Sequence, residues 1–232
     1  MQTFLERFDD ILQSRLVPEY CQGAFLASTR AEFRLSRWRF NEEDARYFVM
    51  AWEAKLIEHD GGGKYKAPRN SSCEKFFNIG SKNVLPRTFT LAQEAVLTVG
   101  VLARLHLDFG WPRNFLGTQS IDYAFDAIAY LPEVAPAEYI ACEVKKGPVE
   151  VENLLCDMRT LGAVHASVID NVKLNARQRN AFKKILGLRK GRAPIFWAVG
   201  PCGVSKVFSV SYQYDGTLNL IPDNEKALIF PA

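Results

Sequence analysis

The stretch that decides the fold runs from Ser120 to Lys146, SIDYAFDAIAYLPEVAPAEYIACEVKK. It reads as two β-strands joined by a loop that holds Pro132 and Pro136. Side chains alternate along a strand. In the first strand Asp122, Ala124 and Asp126 therefore share one face, and Ile121, Tyr123 and Phe125 the other. In the second, Tyr139, Ala141, Glu143 and Lys145 share a face, flanked by Cys142 and Val144, which suit burial. If the strands are neighbours, Asp126, Glu143 and Lys145 converge at one sheet edge. Two carboxylates and an ammonium are costly on apolar strands unless a cation sits among them.

Working outward, the segment before these strands is a helix from Thr90 to about Leu107. Thr90 and Gln93 form a capping-box pattern, and Leu91, Val96, Leu97, Val99, Val101, Leu102 and Leu105 make it almost wholly apolar. Glu94 is the one charge between Arg87 and Arg104, and a lone carboxylate there must snorkel, pair or ligate. After the strands, Gly147-Pro148 opens a helix with Leu154, Leu155, Met158 and Leu161 facing inward. A basic helix follows. It carries Leu174, Ala181, Phe182, Ile185 and Leu186 on one arc and Arg177, Arg179, Lys183 and Lys184 on the other, with Gly187 as its stop. Apolar strands are expected at 194–199, 206–212 and 217–221, the last beyond the turn at Asp215-Gly216.

The order helix, strand, strand, helix, helix, strand, strand, with Asp on one strand and Glu-x-Lys on the next, resembles the PD-(D/E)XK nuclease superfamily. That resemblance implies an α/β fold with a restriction-endonuclease-like mixed central sheet flanked by helices, over residues 80–232. The first strand of that core is not evident in the sequence. Residues 1–79 form a mostly helical N-terminal module. Phe4, Leu5, Phe8, Ile11, Leu12 and Leu16 stripe one helix, and Asn41 caps another behind Glu42, Glu43 and Asp44. Gly61-Gly62-Gly63 lacks phosphate-loop spacing and reads as a hairpin tip, which leaves a winged-helix-like module open. Residues 66–87 read as a connecting segment.

The resemblance further implies a metal-dependent endonuclease acting on DNA, of restriction or defence type. Asp126 and Glu143 would hold Mg²⁺, with Mn²⁺ substituting, and the Val144 carbonyl would complete the protein's share. Lys145 would orient or activate water or neutralise the phosphate. Asp122 is a candidate for a second ion or for a substitute of Asp126, and Glu94 for the acid that a preceding helix often adds. A second Glu-x-Lys, Glu53-Ala54-Lys55, lies in a helix where i and i+2 diverge, and is set aside. An enzyme that cuts both strands is expected to dimerise. The N-terminal module would serve a site, a nucleotide signal or a partner subunit. A non-catalytic nucleic-acid-binding or partner-binding subunit on the same fold is the alternative.

Composition bounds these readings. The 232 residues are 48% hydrophobic and 12% aromatic, enough for a sizeable core, and the net charge of +3 is mild. The charge is unevenly placed. Residues 173–192 hold eight of the 29 basic residues and no acid, so the remaining 21 face 26 acidic ones. With Lys146, this stretch supplies candidate DNA contacts: Arg177, Arg179, Lys183, Lys184 and Lys190. Arg30, Arg34, Arg37 and Arg39 around Trp38 mix basic and aromatic groups, as single-strand contacts or a guarded edge strand would. Cys21, Cys73, Cys142, Cys156 and Cys202 are odd in number and scattered, which argues against a disulfide framework or a zinc knuckle. With no signal peptide or membrane-length apolar run, a cytoplasmic protein is expected.

Overall fold

The computed structural model describes residues 2–23, 29–34, 40–70, 73–83, 87–120, 124–131, 138–165 and 173–231. Asp122, Arg37, Trp38 and Arg39 lie outside them.

The chain opens with α1 (Phe4–Ile11), a π-helical turn at Leu12–Leu16 and α2 (Val17–Gly23). β1 (Phe33–Arg34) precedes α3 (Glu42–Glu53), where the Asn41 side chain and Asp44 form a reciprocal capping box. Five short strands follow: β2 (Glu58–His59), β3 (Lys64–Lys66), β4 (Glu74–Lys75), β5 (Phe77–Ile79) and β6 (Phe89–Leu91). Gly61, Gly62 and Gly63 all take positive φ at the β2–β3 tip, the hairpin expected there. Residues 66–87, expected as a connection, instead supply β4 and β5. The strands make two small sheets, ordered β2-β3-β4 and β1-β6-β5.

The main sheet has the order β12-β11-β10-β9-β8-β7. It comprises β7 (Leu116–Thr118), β8 (Ala127–Tyr130), β9 (Glu138–Val144), β10 (Ile195–Val199), β11 (Ser205–Tyr212) and β12 (Leu218–Asp223). Within this sheet, among the described residues, β9 and β10 are the one parallel pair, so the chain must cross over between them. It does so through α5 (Pro148–Gly162) and α6 (Ala176–Gly191). α4 (Gln93–Leu107) covers the opposite face. The fold is thus mixed α/β, with a central sheet between helical layers.

Strand alternation sorts the core. Ala127, Ala129, Ile140, Cys142, Val144 and Trp197 join α4 and the N-terminal helices in one buried cluster, which runs from Phe8 to Leu228. Ile128, Ala141, Phe196, Ala198 and Phe208 join α5 and α6 in a second. The first cluster draws on both sides of residue 80, and the β5–β6 pair spans it.

Several sequence expectations change here. The first strand of the decisive stretch begins at Ala127, not Ser120. Ser120 Oγ accepts from the backbone N–H of Ala124 at 2.8 Å and of Phe125 at 3.2 Å, which uses those donors outside the strand ladder. The strand missing from the sequence reading is β7, only Leu-Gly-Thr long. Thr90 does not cap α4: it pairs with Arg34 and Asn78 inside β6, and the helix starts at Gln93 without a side-chain cap. Tyr139 breaks the alternation of β9. The β8–β9 register slips there, and its ring packs on Trp111 at the α4 face. Gly187 does not stop α6, which continues to Gly191 and closes at Arg192 in the left-handed region.

Candidate functional site

β8 and β9 are antiparallel neighbours with Ala127 opposite Cys142, so Asp126, the residue before β8, meets the end of β9. The Asp126 N–H donates to the Cys142 carbonyl at 3.0 Å, and Asp126 Oδ2 accepts from the Val144 N–H at 2.8 Å. Glu143 lies between these two tethers. Its neighbours Cys142 and Val144 turn to the α4 face, so Glu143 projects to the face covered by α5 and α6.

There Glu143 is 1% exposed and meets two ammonium groups. Lys145 Nζ donates to its Oε1 at 2.5 Å. Lys184 Nζ sits 2.6 Å from its Oε2, an ion-pair contact out of line for a hydrogen bond. Burial lifts the Glu143 carboxyl to about 7, helped by the Asp126 charge and resisted by Lys184 and Lys145. For Lys145, burial works against the charged form, but Glu143, Asp126 and Glu94 outweigh it and the ammonium is held above its ordinary value. Glu94, half-buried in the first turn of α4, is pushed up chiefly by burial, with the Lys146 and Lys145 charges pulling the other way. Asp126, Glu143, Lys145 and Glu94 are thus brought into one electrostatic neighbourhood.

Lys184 is where the structure departs furthest from the sequence reading. It was expected on the outward basic face but is 6% exposed. Its ammonium also donates to the Ala124 carbonyl and lies 5.6 Å from the centre of the Phe125 ring. Ala181, Lys184, Ile185 and Leu188 are the buried stripe of α6, spaced i, i+3, i+4 and i+7, whereas Leu186, expected inward, is 45% exposed. Gly187 explains how the helix comes so near. A Cβ there would stand 2.6 Å from Ala124 Cβ and 3.0 Å from the Phe125 ring. That stripe and that glycine were the available signal for Lys184.

A second residue that the sequence reading missed is a carboxylate, Glu74 of β4. Burial raises it, the Asp126 charge adds to the effect, and a hydrogen bond with the Gln119 side chain opposes it. It brings the small N-terminal sheet to the Asp126 side of the site.

The other expected nucleic-acid contacts stay outside. Lys146, Arg177, Arg179, Lys183 and Lys190 are exposed. Arg177 is anchored, its Nε 2.7 Å from Asp157 Oδ2 and its Nη1 donating to Asn153 Oδ1 at 3.0 Å. Beside Lys145 opens a cavity of about 210 Å³, lined by Lys145, Glu150, Asn153, Leu154, Arg177 and Asn180.

No group of three or more His, Cys, Asp or Glu side chains among the described residues is arranged to hold a metal ion. The donors on offer are the carboxylates of Asp126 and Glu143 and nearby main-chain oxygen. In kind they fit a hard cation such as Mg²⁺, which takes one or two carboxylates and fills its other positions with water or phosphate oxygen. The raised Glu143 carboxyl fits as well: burial lifts it first and the Asp126 charge adds to that, and a dication beside it would favour the ionised form against both. Cys142 is fully buried on the α4 face, burial raising its thiol well above the ordinary range, so it offers no nucleophile to this site.

No family model, curated protein or solved structure matches this chain. No helix among the described residues is long and apolar enough to cross a membrane.

Proposed function

We propose that the chain is a metal-dependent phosphodiester hydrolase, a DNA endonuclease of the PD-(D/E)XK type with a restriction-endonuclease-like core, serving restriction or defence. The observation that carries this reading is the buried Glu143, in contact with Lys145 and next to the segment where Asp126 leads into the neighbouring strand.

Asp126 and Glu143, with the Val144 carbonyl, would hold Mg²⁺ or Mn²⁺. When bound, the ion withdraws charge from the scissile phosphate and makes bound water more acidic. Lys145 borders the open cavity, where its ammonium would meet a phosphate oxygen and orient the attacking water. The water gives up one proton to solvent as its oxygen bonds to phosphorus, one P–O ester bond breaks, and the leaving oxygen takes a proton from solvent. Lys146, Arg179, Lys183 and Lys190 would follow the backbone of the nucleic acid by displacing counterions. Cutting both strands would call for a homodimer, and the N-terminal module is a candidate surface for a partner subunit.

One observation favours a second reading, a binding subunit without catalysis. Both oxygens of Glu143 already face ammonium groups, and a buried ion network can serve structure alone. Calorimetric titration with Mg²⁺ and Mn²⁺, paired with incubation on supercoiled plasmid, single-stranded DNA and RNA, separates the two. The nuclease reading expects metal binding that is lost in Asp126→Asn, together with metal-dependent cleavage of DNA. Absence of both leaves the binding subunit.

A further inference from the structure

Glu143 is contacted by two ammonium groups whose settings differ. Lys184 comes from the buried stripe of α6, bonded to the Ala124 carbonyl and backed by the Phe125 ring, with Gly187 allowing the close approach. Its side chain is 8% exposed. Lys145 is the first residue beyond β9, its side chain is 15% exposed, and it lines the cavity that Lys184 does not reach. A long side chain with solvent on one side can swing, whereas one closed in on every side cannot.

We infer that Lys184 is a positioning residue that acts through Lys145. Its fixed ammonium keeps Glu143 paired and aimed, so that Lys145 can leave Glu143 Oε1 for a phosphate in the cavity. With Lys145 as the sole partner, that departure would strand a buried carboxylate, a state proteins avoid strongly. With Lys184 in place, Glu143 retains a counter-ion throughout. Two lysines on one carboxylate thus divide the work: one holds, the other is released. This inference rests on the nuclease reading for its purpose, but the division between the lysines can be measured without cleavage.

The test is competitive labelling of lysines with a small acylating reagent, mapped by mass spectrometry. It would be run on the full-length wild type, Lys184→Met and Lys184→Gln, with thermal melts as a check on folding. In the wild type Lys145 should label severalfold faster than Lys184. Equal labelling would overturn the inference even if neither variant folds. In the folded variants Lys145 should label more slowly than in the wild type, because Glu143 now retains it. An unchanged Lys145 rate would also overturn it.

Cleavage kinetics supply the second arm. Lys184→Met should lower kcat by about a hundredfold, as misplacement of a catalytic group does, with KM nearly unchanged. The double variant with Lys145→Met should be no slower than Lys145→Met alone, because Lys184 works through Lys145. Additive losses would contradict that coupling. A wild type that cleaves nothing, yet shows the expected labelling pattern, would remove the nuclease reading and leave the division between the lysines intact.

Discussion

Burial and the Asp126 charge oppose ionisation of Glu143 while Lys184 and Lys145 favour it, so its protonation reports on the whole site. In the folded, metal-free protein it holds a proton up to about pH 7, whereas its ordinary value is 4.5. Between those values the folded state binds more protons than the unfolded chain, so raising the pH weakens folding. Relative to Glu143→Gln, wild-type stability should fall by about 1 kcal/mol per pH unit across that window, then level off. Urea titrations from pH 4 to 8 check this, and parallel curves for the two proteins would refute it. At this scale the sequence was informative about Asp126, Glu143 and Lys145, because period-two alternation fixes which side chains share a face. It was silent on Glu74, whose nearness to Asp126 depends on how a two-residue strand docks onto another sheet.

Helix α6 shows how one element can present two different surfaces. Its outer face carries Arg179, Lys183 and Lys190, while the lysine next to Lys183 belongs to the core. Reversing Lys183 to Glu should weaken binding to DNA and reduce the slope of affinity against salt by about one unit. An unchanged slope in fluorescence anisotropy titrations would assign that face to solvent. Gly187→Ala is expected to destabilise by roughly 1–3 kcal/mol, since the added methyl meets Ala124 and Phe125. Thermal or urea unfolding would show it, and a neutral effect would mean that α6 can withdraw from Ala124 and Phe125 without cost. The helix was legible as a helix, and most of its basic residues as exposed. Counting charges as the outer face misplaced Lys184, whose spacing from Ala181, Ile185 and Leu188 marks it as inward. β7 escaped notice because three residues including a glycine carry no periodicity.

Across the whole molecule, the central sheet and its crossover follow from apolar runs and helix spacing that any reader of the sequence meets. The joining of its parts does not. Trp111, after α4, is fully buried, and its indole N–H donates to the Leu228 carbonyl at 2.6 Å while its ring meets Phe230 edge-on. That contact ties the C-terminal segment beneath the main sheet across 117 residues. Trp111→Phe, which keeps an aromatic ring but removes the indole N–H and leaves a small void, should cost about 1–3 kcal/mol because a buried carbonyl loses its partner and packing is lost. A melting temperature equal to wild type would show that water replaces the bond.

We propose Asp126, Glu143 and Lys145 as a metal-dependent phosphodiesterase centre. Nicking of supercoiled plasmid in Mg²⁺ or Mn²⁺, with and without chelator, by wild type and by a folded Glu143→Gln variant, tests it most directly. The expected result is nicking that chelator abolishes and that Glu143→Gln lowers by at least about a hundredfold. Nicking that survives either the chelator or the substitution would contradict it.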